Sequence, residues 1–395
     1  MGSNPTPSVP APVLDRFYTL SPTLIYRLFF RLVLLRLDSE RAHALAIRAM
    51  AAYRAIPGMV ALSARLLRPP AALETRALGL RFRTPLGLAA GVDKNSTAFD
   101  ALAALGFGAV EVGTVTDRPQ EGNPRPRAWR LPKDRALLNA MGFPNDGTLA
   151  QAKRLTRRKS DEVIGVNIGK SRAVELSGDV VGDYRAATRK LCAYADYLTL
   201  NVSSPNTPGL RSMQTADHLR TLVSGVRAEL AECKREIPVL IKLGPDLEND
   251  EIASIAAAAV EMRVDGIIAV NTTTDYDKLP DCRAAIAEKG DRGGVSGAPL
   301  KDRALEVLEL LSERAAGMPL ISVGGIETAE DAWQRILSGA SLVQAYTAFV
   351  YGGPLWPYRL NRDLARLLEA SPFASIEDAV GKRPVGTAAP RETVA

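Results

Sequence analysis

The chain has 395 residues, 46% of them hydrophobic and only 6% aromatic, with a formal net charge of +6. That length buries a large core and accommodates one (β/α)8 barrel of roughly 250 residues plus appendages. With only 2 His and 3 Cys, the last at Cys192, Cys233 and Cys282, clustered zinc and iron–sulfur ligand patterns are excluded, no metal is expected, and unpaired thiols in a reducing compartment are the simple account.

Segment 1–19 is rich in Pro and reads as a disordered leader. In segment 20–54, Leu24, Ile25, Leu28, Phe29, Leu32, Leu35 and Leu37 are interrupted by Arg27, Arg31 and Arg36. No apolar run approaches the roughly 20 residues of a spanning helix. The arginines fall largely on one helical face and the bulky apolar residues on the other. Two readings stay open, a basic amphipathic helix at an anionic lipid surface and a helical cap docked on the body. A second helix at about 39–53 carries His43 and would close a hairpin. The body is expected over 55–370 and a loose C-terminal tail over 371–395. Dispersed Lys and Arg give no nucleic-acid stripe, so no nucleic-acid partner is expected, and a monomer is the expected state.

Within the body, apolar β-branched runs recur at 85–90, 109–114, 163–168, 197–203, 238–243, 265–272, 320–325 and 342–347. Helical patterns lie between most of them, at 96–105, 217–232, 250–262, 301–314 and 329–337. Near-continuous apolar strands with helical crossovers indicate a parallel sheet covered on both faces, and eight such units predict an α/β (β/α)8 TIM barrel. A doubly wound sheet is the alternative, but GxGxxG is absent.

In such a barrel the C-terminal strand ends build the active site. Here they read AAGVDKN, GTVT, NIGKS, NVSSPNTPGLR, Lys242, NTT, VGGI and QAYT, and a long loop after the second adds EGNPRPRAWRLP and NAMGFPN. Asn139, Asn167, Asn201, Asn206 and Asn271 are therefore predicted to converge. Asparagine offers donor and acceptor without charge, which suits a planar heterocycle with amide edges, although any one of them could be a turn former. Gly324 and Gly325, with Tyr346 and Thr347 one strand later, lie where many barrels hold phosphate. With Lys242 as a strand-buried cation, the set points to a mononucleotide cofactor; a barrel lysine paired to a carboxylate is the structural alternative. A Ser-His triad through His218 is formally open, but there is no GxSxG and His218 reads as a solvated helix residue.

Taken together, AAGVDKN, EGNPRPR with RLP, NAMGF, NVSSPNTPGLR, IKLGPD, NTT, GGVSG, VGGI and LVQAYT resemble the signature set of the membrane-associated, quinone-dependent (class 2) dihydroorotate dehydrogenases, over roughly 39–354. The resemblance implies an FMN-containing barrel, one FMN per chain, that oxidises dihydroorotate to orotate in pyrimidine synthesis and returns electrons to a membrane quinone. It implies a peripheral membrane protein on the cytoplasmic face of the inner membrane. Ser204, serine in class 2 and cysteine in the soluble class 1 enzymes, would be the base that takes the C5 proton as hydride leaves C6.

Substrate contacts carried over are Lys94 to the carboxylate and Asn139, Asn201, Asn206, Asn271 and Thr272 around the ring, with Ala140, Met141, Gly142 and Phe143 as the surrounding loop. The positions matching FMN contacts are Ala90, Gly91, Val92, Asp93, Lys94 and Thr114 on the first two strand ends, then Asn167, Asn201, Lys242 and Val270. Gly297, Gly325, Tyr346 and Thr347 complete them. His43, Arg130 and Tyr346 match the polar end of the quinone tunnel. Another flavin barrel, such as a fumarate-linked dihydroorotate dehydrogenase or an RNA dihydrouridine synthase, is opposed by Ser204, the amphipathic segment and the missing basic domain. A non-catalytic membrane scaffold is opposed by the complete set of strand-end motifs.

Overall fold

The structure, a computed structural model, describes residues 22–174 and 178–383; the expected leader at 1–19 and the end of the expected tail lie outside the described residues. Three helices come first, α1 (Pro22–Leu32), α2 (Ser39–Ala55) and α3 (Met59–Leu66), so the helical segment runs to residue 66 rather than ending at 54. An antiparallel hairpin follows, β1 (Thr75–Ala77) with β2 (Leu80–Phe82). Every one of the eight apolar runs then contributes a strand. They are β3 (Leu86–Leu88), β4 (Ala109–Val115), β7 (Val163–Gly169), β8 (Tyr197–Asn201), β9 (Val239–Leu243), β10 (Gly266–Ala269), β12 (Leu320–Val323) and β13 (Leu342–Ala345). In that order they close into a parallel barrel, β13 returning to β3. The remaining strands, β5 (Ala128–Leu131), β6 (Ala136–Asn139) and β11 (Gly294–Gly297), form a small antiparallel sheet from the loops after β4 and β10.

Side chains alternate along a strand, so half of each barrel strand faces inward. Near the strand starts these positions are apolar, with Ala109, Val163, Ile321 and Leu342 packed together with Leu78 and Phe82 of the hairpin. Farther along, Glu111, Tyr197 and Gln344 replace them, all buried. The Tyr197 hydroxyl and Gln344 Nε2 donate to Glu111 Oε2 at 3.1 and 2.9 Å. Gly165 makes room for this ring, since a Cβ there would lie 2.0 Å from Tyr197 Cζ.

The crossover helices Ala216–Glu232, Asn249–Glu261, Lys301–Arg314 and Ala329–Leu337 fall within a residue of their predicted spans, because their apolar faces must cover the strands. The helix expected at 96–105 is only Phe99–Ala103. The Asp93 carboxylate accepts the backbone N–H of Thr97 and Ala98 at 2.9 and 2.7 Å, which delays its start. The expectation of a loose tail from 371 needs correction up to residue 383. Helix Ile376–Ala379 buries Ile376 and Ala379 completely, the Phe373 ring lies 6.2 Å from that of Trp333, and Glu377 accepts the Arg76 N–H.

Helix α1 docks by one edge. The Phe30 ring sits 5.3 Å from that of Tyr351, and the Tyr26 hydroxyl donates to the Val350 carbonyl at 2.7 Å. Leu24, Ile25, Leu28, Phe29 and Leu32 remain exposed, joined by Leu45 of α2 and Leu62 and Leu66 of α3. Among the described residues no single helix is long and apolar enough to cross a membrane.

Candidate active site

One cavity of about 630 Å³ runs from an apolar opening between α1 and α2, lined by Phe29, Leu45 and Met50, to the C-terminal mouth of the barrel. Its wall includes Ser204, Lys94, Lys242, Asn139, Asn201, Asn206, Asn271 and Thr272, with Met141, Gly142 and Phe143. The expected flavin positions Ala90, Gly91, Val92, Thr114, Val270, Gly297, Gly325, Tyr346 and Thr347 line it as well, and so do His43 and Arg130. Residues more than 300 positions apart thus meet because the barrel brings all its strand ends to one rim.

Three expected contacts stand behind this wall. The Asp93 carboxylate is consumed by the two N–H groups it caps. Asn167 is fully buried one layer down, its Nδ2 donating to Glu111 Oε1 at 2.7 Å and its Oδ1 accepting from Thr114 and Asn201 at 2.5 and 3.1 Å. Ala140 is held by its backbone, donating to the Arg127 carbonyl at 2.8 Å.

The asparagine cage is built by mutual hydrogen bonds. Asn271 Nδ2 donates to Ser203 Oγ at 2.9 Å, Ser203 Oγ donates to Asn201 Oδ1 at 3.2 Å, and Asn206 Nδ2 donates to the Asn139 carbonyl at 3.1 Å. Ser204 is 6% exposed, and its Oγ accepts the Asn206 N–H at 3.3 Å. Thr207, in the same loop, holds a buried hydroxyl without a partner among the described residues. His218 is exposed and bonded to Thr215, far from this chemistry.

The cationic groups differ in their surroundings. Lys242 is 5% exposed and, among the described residues, has neither an ion pair nor a hydrogen bond; burial pushes its pKa below the ordinary value, and the Glu111 carboxylate opposes that shift. Lys94 donates to the Gly91 carbonyl at 2.6 Å, and burial lowers it to about 8, with Glu40 opposing. His43 is pushed down to about 3 by burial and then by the charge of Lys94, so it is neutral at physiological pH.

Sequence reasoning missed the groups that hold this rim. Glu40 of α2 receives Arg127 Nη2 at 2.7 Å and Arg125 Nε at 3.0 Å. Arg127, 5% exposed, also donates to the carbonyls of Glu121 and Asn123 at 2.5 and 2.8 Å. Asn123 then donates to the carbonyls of Ala140 and Asn206 at 3.0 and 3.1 Å. A helix expected to be peripheral is thus tied through three residues to the cage. Asn123 and Arg127 stand inside the EGNPRPR motif, which was the available signal; nothing in the sequence pairs Arg127 with a glutamate 87 positions earlier.

The residues fit a flavin mononucleotide. At Lys242 a buried cation faces the cavity with no ion pair or hydrogen bond among the described residues, the Glu111 carboxylate acting on it only from farther off. At the other end Gly324 and Gly325 adopt φ of +124° and +70°, and a Cβ on Gly325 would lie 2.5 Å from Lys301 Cα, which leaves backbone alone to form that wall.

Comparison with known proteins places the chain in a family. The family model described as dihydroorotate dehydrogenase matches residues 72–368. A dihydroorotate dehydrogenase (quinone) of Thermobifida fusca is 50% identical over 365 residues, covering 91% of this chain and 96% of that protein. One of Streptomyces coelicolor is 50% identical over 363 residues, covering 90% and 98%. Among solved structures, the ferulenol complex of the Eimeria tenella dihydroorotate dehydrogenase superimposes with a TM-score of 0.82 at 34% identity, covering 92% of this chain and all of that one. The ligand-free form of that enzyme gives 0.79 at the same 34% identity.

The Glu40 pair yields a pH-dependent expectation. Its arginine partners outweigh burial and hold the carboxyl below its ordinary 4.5, so the pair stabilises the fold above that value and the contribution is lost as pH falls through the lowered pKa. Glu40→Gln leaves the buried Arg127 without its carboxylate, and a loss of about 1–3 kcal/mol is expected at pH 7. The difference from the parent should shrink as pH falls below 4.5 and close once the pH lies under the lowered pKa. Urea unfolding across pH checks this; a deficit that persists unchanged in acid would show that charge pairing is not its source.

Proposed function

The chain belongs to the dihydroorotate dehydrogenase family, and we propose that its cavity works as a two-ended site, with substrate bound at the barrel mouth and quinone admitted between α1 and α2. The enzyme oxidises dihydroorotate to orotate, a step of pyrimidine biosynthesis, with a quinone as electron acceptor. The observation that carries the two-ended reading is the continuity of one cavity from the asparagine cage to an apolar opening.

The chemistry a bound FMN would supply is that of an acceptor for the C6 hydride of dihydroorotate and a donor of electrons to quinone. Lys242 would supply the cation beside its N1/O2 edge, Thr114 and Val270 would line the ring, and the backbone at Gly297, Gly325 and Thr347 would hold its phosphate end. Lys94 would bind the dihydroorotate carboxylate. Asn139, Asn206, Asn271 and Thr272 would orient the ring through directional hydrogen bonds, so that its C5 proton faces Ser204. Ser204 takes that proton as the hydride leaves C6. A serine is a poor base at neutral pH, so the proton must move onward through hydroxyl groups or water, and the unpartnered Thr207 hydroxyl lies in the same loop. His43, neutral, would offer a hydrogen bond at the quinone end without adding charge. The exposed apolar side chains of α1 to α3, beside Arg27, Arg31 and Arg36, support a peripheral seat on anionic lipid at the cytoplasmic face of the membrane.

The purified protein should be yellow, bleach with dihydroorotate, and recover with a short-chain quinone but not with fumarate or NAD; recovery with fumarate would overturn the quinone assignment. Ser204→Ala should keep its flavin and bind orotate within about threefold of the parent while the rate of bleaching falls by about 10²–10⁴. Bleaching at the parental rate would remove Ser204 from the role of base.

Lys94 must carry its proton to hold a carboxylate, and its pKa is about 8. Orotate affinity should therefore be flat below that pH and fall by roughly tenfold per unit above it, whereas Lys94→Met should bind weakly at every pH. Titration of orotate against flavin absorbance reads both profiles. A parent curve that stays level to pH 10 would rule out Lys94 as the carboxylate's partner.

Leu28 and Leu32 are 48% and 56% exposed on α1. Replacing both with Asp should abolish flotation with anionic vesicles and leave bleaching by dihydroorotate unchanged. Undiminished flotation would return α1 to the role of a docked cap.

A further inference from the structure

Resting on the FMN reading above, we propose that Arg335 is a positioning residue for the cofactor phosphate. Its guanidinium fixes the Gly324–Gly325 turn and supplies, from behind it, positive charge that the cavity wall there lacks.

Arg335, in helix Ala329–Leu337, heads the largest fully buried side chains of the molecule at 1% exposure. Its Nη2 donates to the carbonyls of Lys301 and Gly324 at 2.6 and 3.1 Å, and Nη1 to Ser322 Oγ at 3.4 Å. These acceptors belong to β12, to the turn that follows it, and to the first residue of helix Lys301–Arg314. One planar group therefore ties the turn to the helix start that Gly325 touches. With the Gly324 carbonyl engaged from behind, the turn can present its backbone N–H groups toward the cavity.

Charge gives an independent reason. Among the described residues no carboxylate pairs with Arg335. Asp331, Asp302 and Glu309 act on it only from farther off, Asp331 being paired with Lys301 at 2.9 Å, and burial lowers Arg335 to about 10. A buried cation without a counter-ion is costly. On the cavity side, positions 323–327 and 344–350 contribute no Lys or Arg, and their one carboxylate, Glu327, is paired with Arg135 at 2.6 Å. An anion seated on this turn would meet N–H dipoles in front and, behind, a guanidinium with no direct carboxylate partner among the described residues. A phosphate dianion is the anion that a mononucleotide brings.

The test is exchange of FMN for riboflavin, which has the same ring system and no phosphate, measured on the yellow holoenzyme by resolving the flavin retained at graded riboflavin excess. Arg335→Met should lower the preference for FMN over riboflavin by about tenfold or more, and Arg335→Lys should keep it within about threefold, because the lysine retains the charge. Should the Met variant fail to fold, Arg335→Gln, uncharged but still an amide donor, is expected to show the same loss. An unchanged preference in the Met or Gln variant overturns the assignment and leaves Arg335 a purely structural tie. A parent protein with no preference for FMN would instead overturn the cofactor reading itself, so the two failures are distinguishable.

Discussion

A carboxylate sealed inside a closed barrel dictates the chemistry of everything above it. Glu111 is fully buried, so each of its oxygens needs donors. Tyr197 and Gln344 supply two, and Asn167 Nδ2 supplies the third. That last bond sets a direction. An amide whose nitrogen is bound from below must present its oxygen, so Asn167 Oδ1 accepts from Thr114 and Asn201. Asn201, having spent its nitrogen downward, presents Oδ1 to Ser203 and Asn271. The polarity of the cage is thus propagated from the barrel centre outward, two asparagines deep, before any ligand arrives. The same carboxylate opposes the effect of burial on Lys242, the one strand-borne cation beside it.

This layering explains what could be read in the sequence. The barrel strands were legible because burial on both faces leaves near-continuous apolar runs, and the strand-end asparagines were legible because the fold sends those ends to one rim. Depth was not legible. Asn167 reads like its four companions but stands one layer lower, and Asp93, in a motif full of cavity residues, is turned back to start a helix. Glu111 in AVEVGTV looks like the polar member of an ordinary alternating strand. Arg335 lies in a helix whose charges suit a solvated face, and only its burial reveals otherwise. The apolar residues of the tail up to residue 383 are scattered in a short segment, and composition does not reveal that two of them, Ile376 and Ala379, are fully buried.

Sequence leaves open whether the amino-terminal helices lie at a lipid surface or dock on the body, and the ion pairs tie α2 to the body. Glu40 of α2 satisfies the buried Arg127, and Arg54, at the end of the same helix, meets the fully buried Asp100 at 2.6 Å. Cutting the chain after Arg54 would strand a buried cation at one end and a buried carboxylate at the other. Separating lipid attachment from catalysis therefore requires surface substitutions on α1, whose exposed side chains hold none of these bonds.

The charge arrangement around Lys94 follows from the same economy of carboxylates. Glu40 lies close enough to favour the cationic form of both Lys94 and His43, but its oxygens are already engaged by Arg125 and Arg127. Burial disfavours the charged form of both, the charge of Lys94 adds to the effect on His43, and the group with the lower intrinsic pKa yields first. His43 is thus neutral while Lys94, near 8, keeps its proton at physiological pH. One cavity thus grades from an amide-lined barrel mouth carrying Lys94 and Lys242 to a more apolar end at the helices, where Arg130, Glu40 and the neutral His43 are among the polar groups. Under the two-ended reading proposed above, an anionic substrate would gain its binding energy at the first end and a lipid-soluble acceptor at the second, so the two half-reactions would share one cavity without their ligands exchanging places.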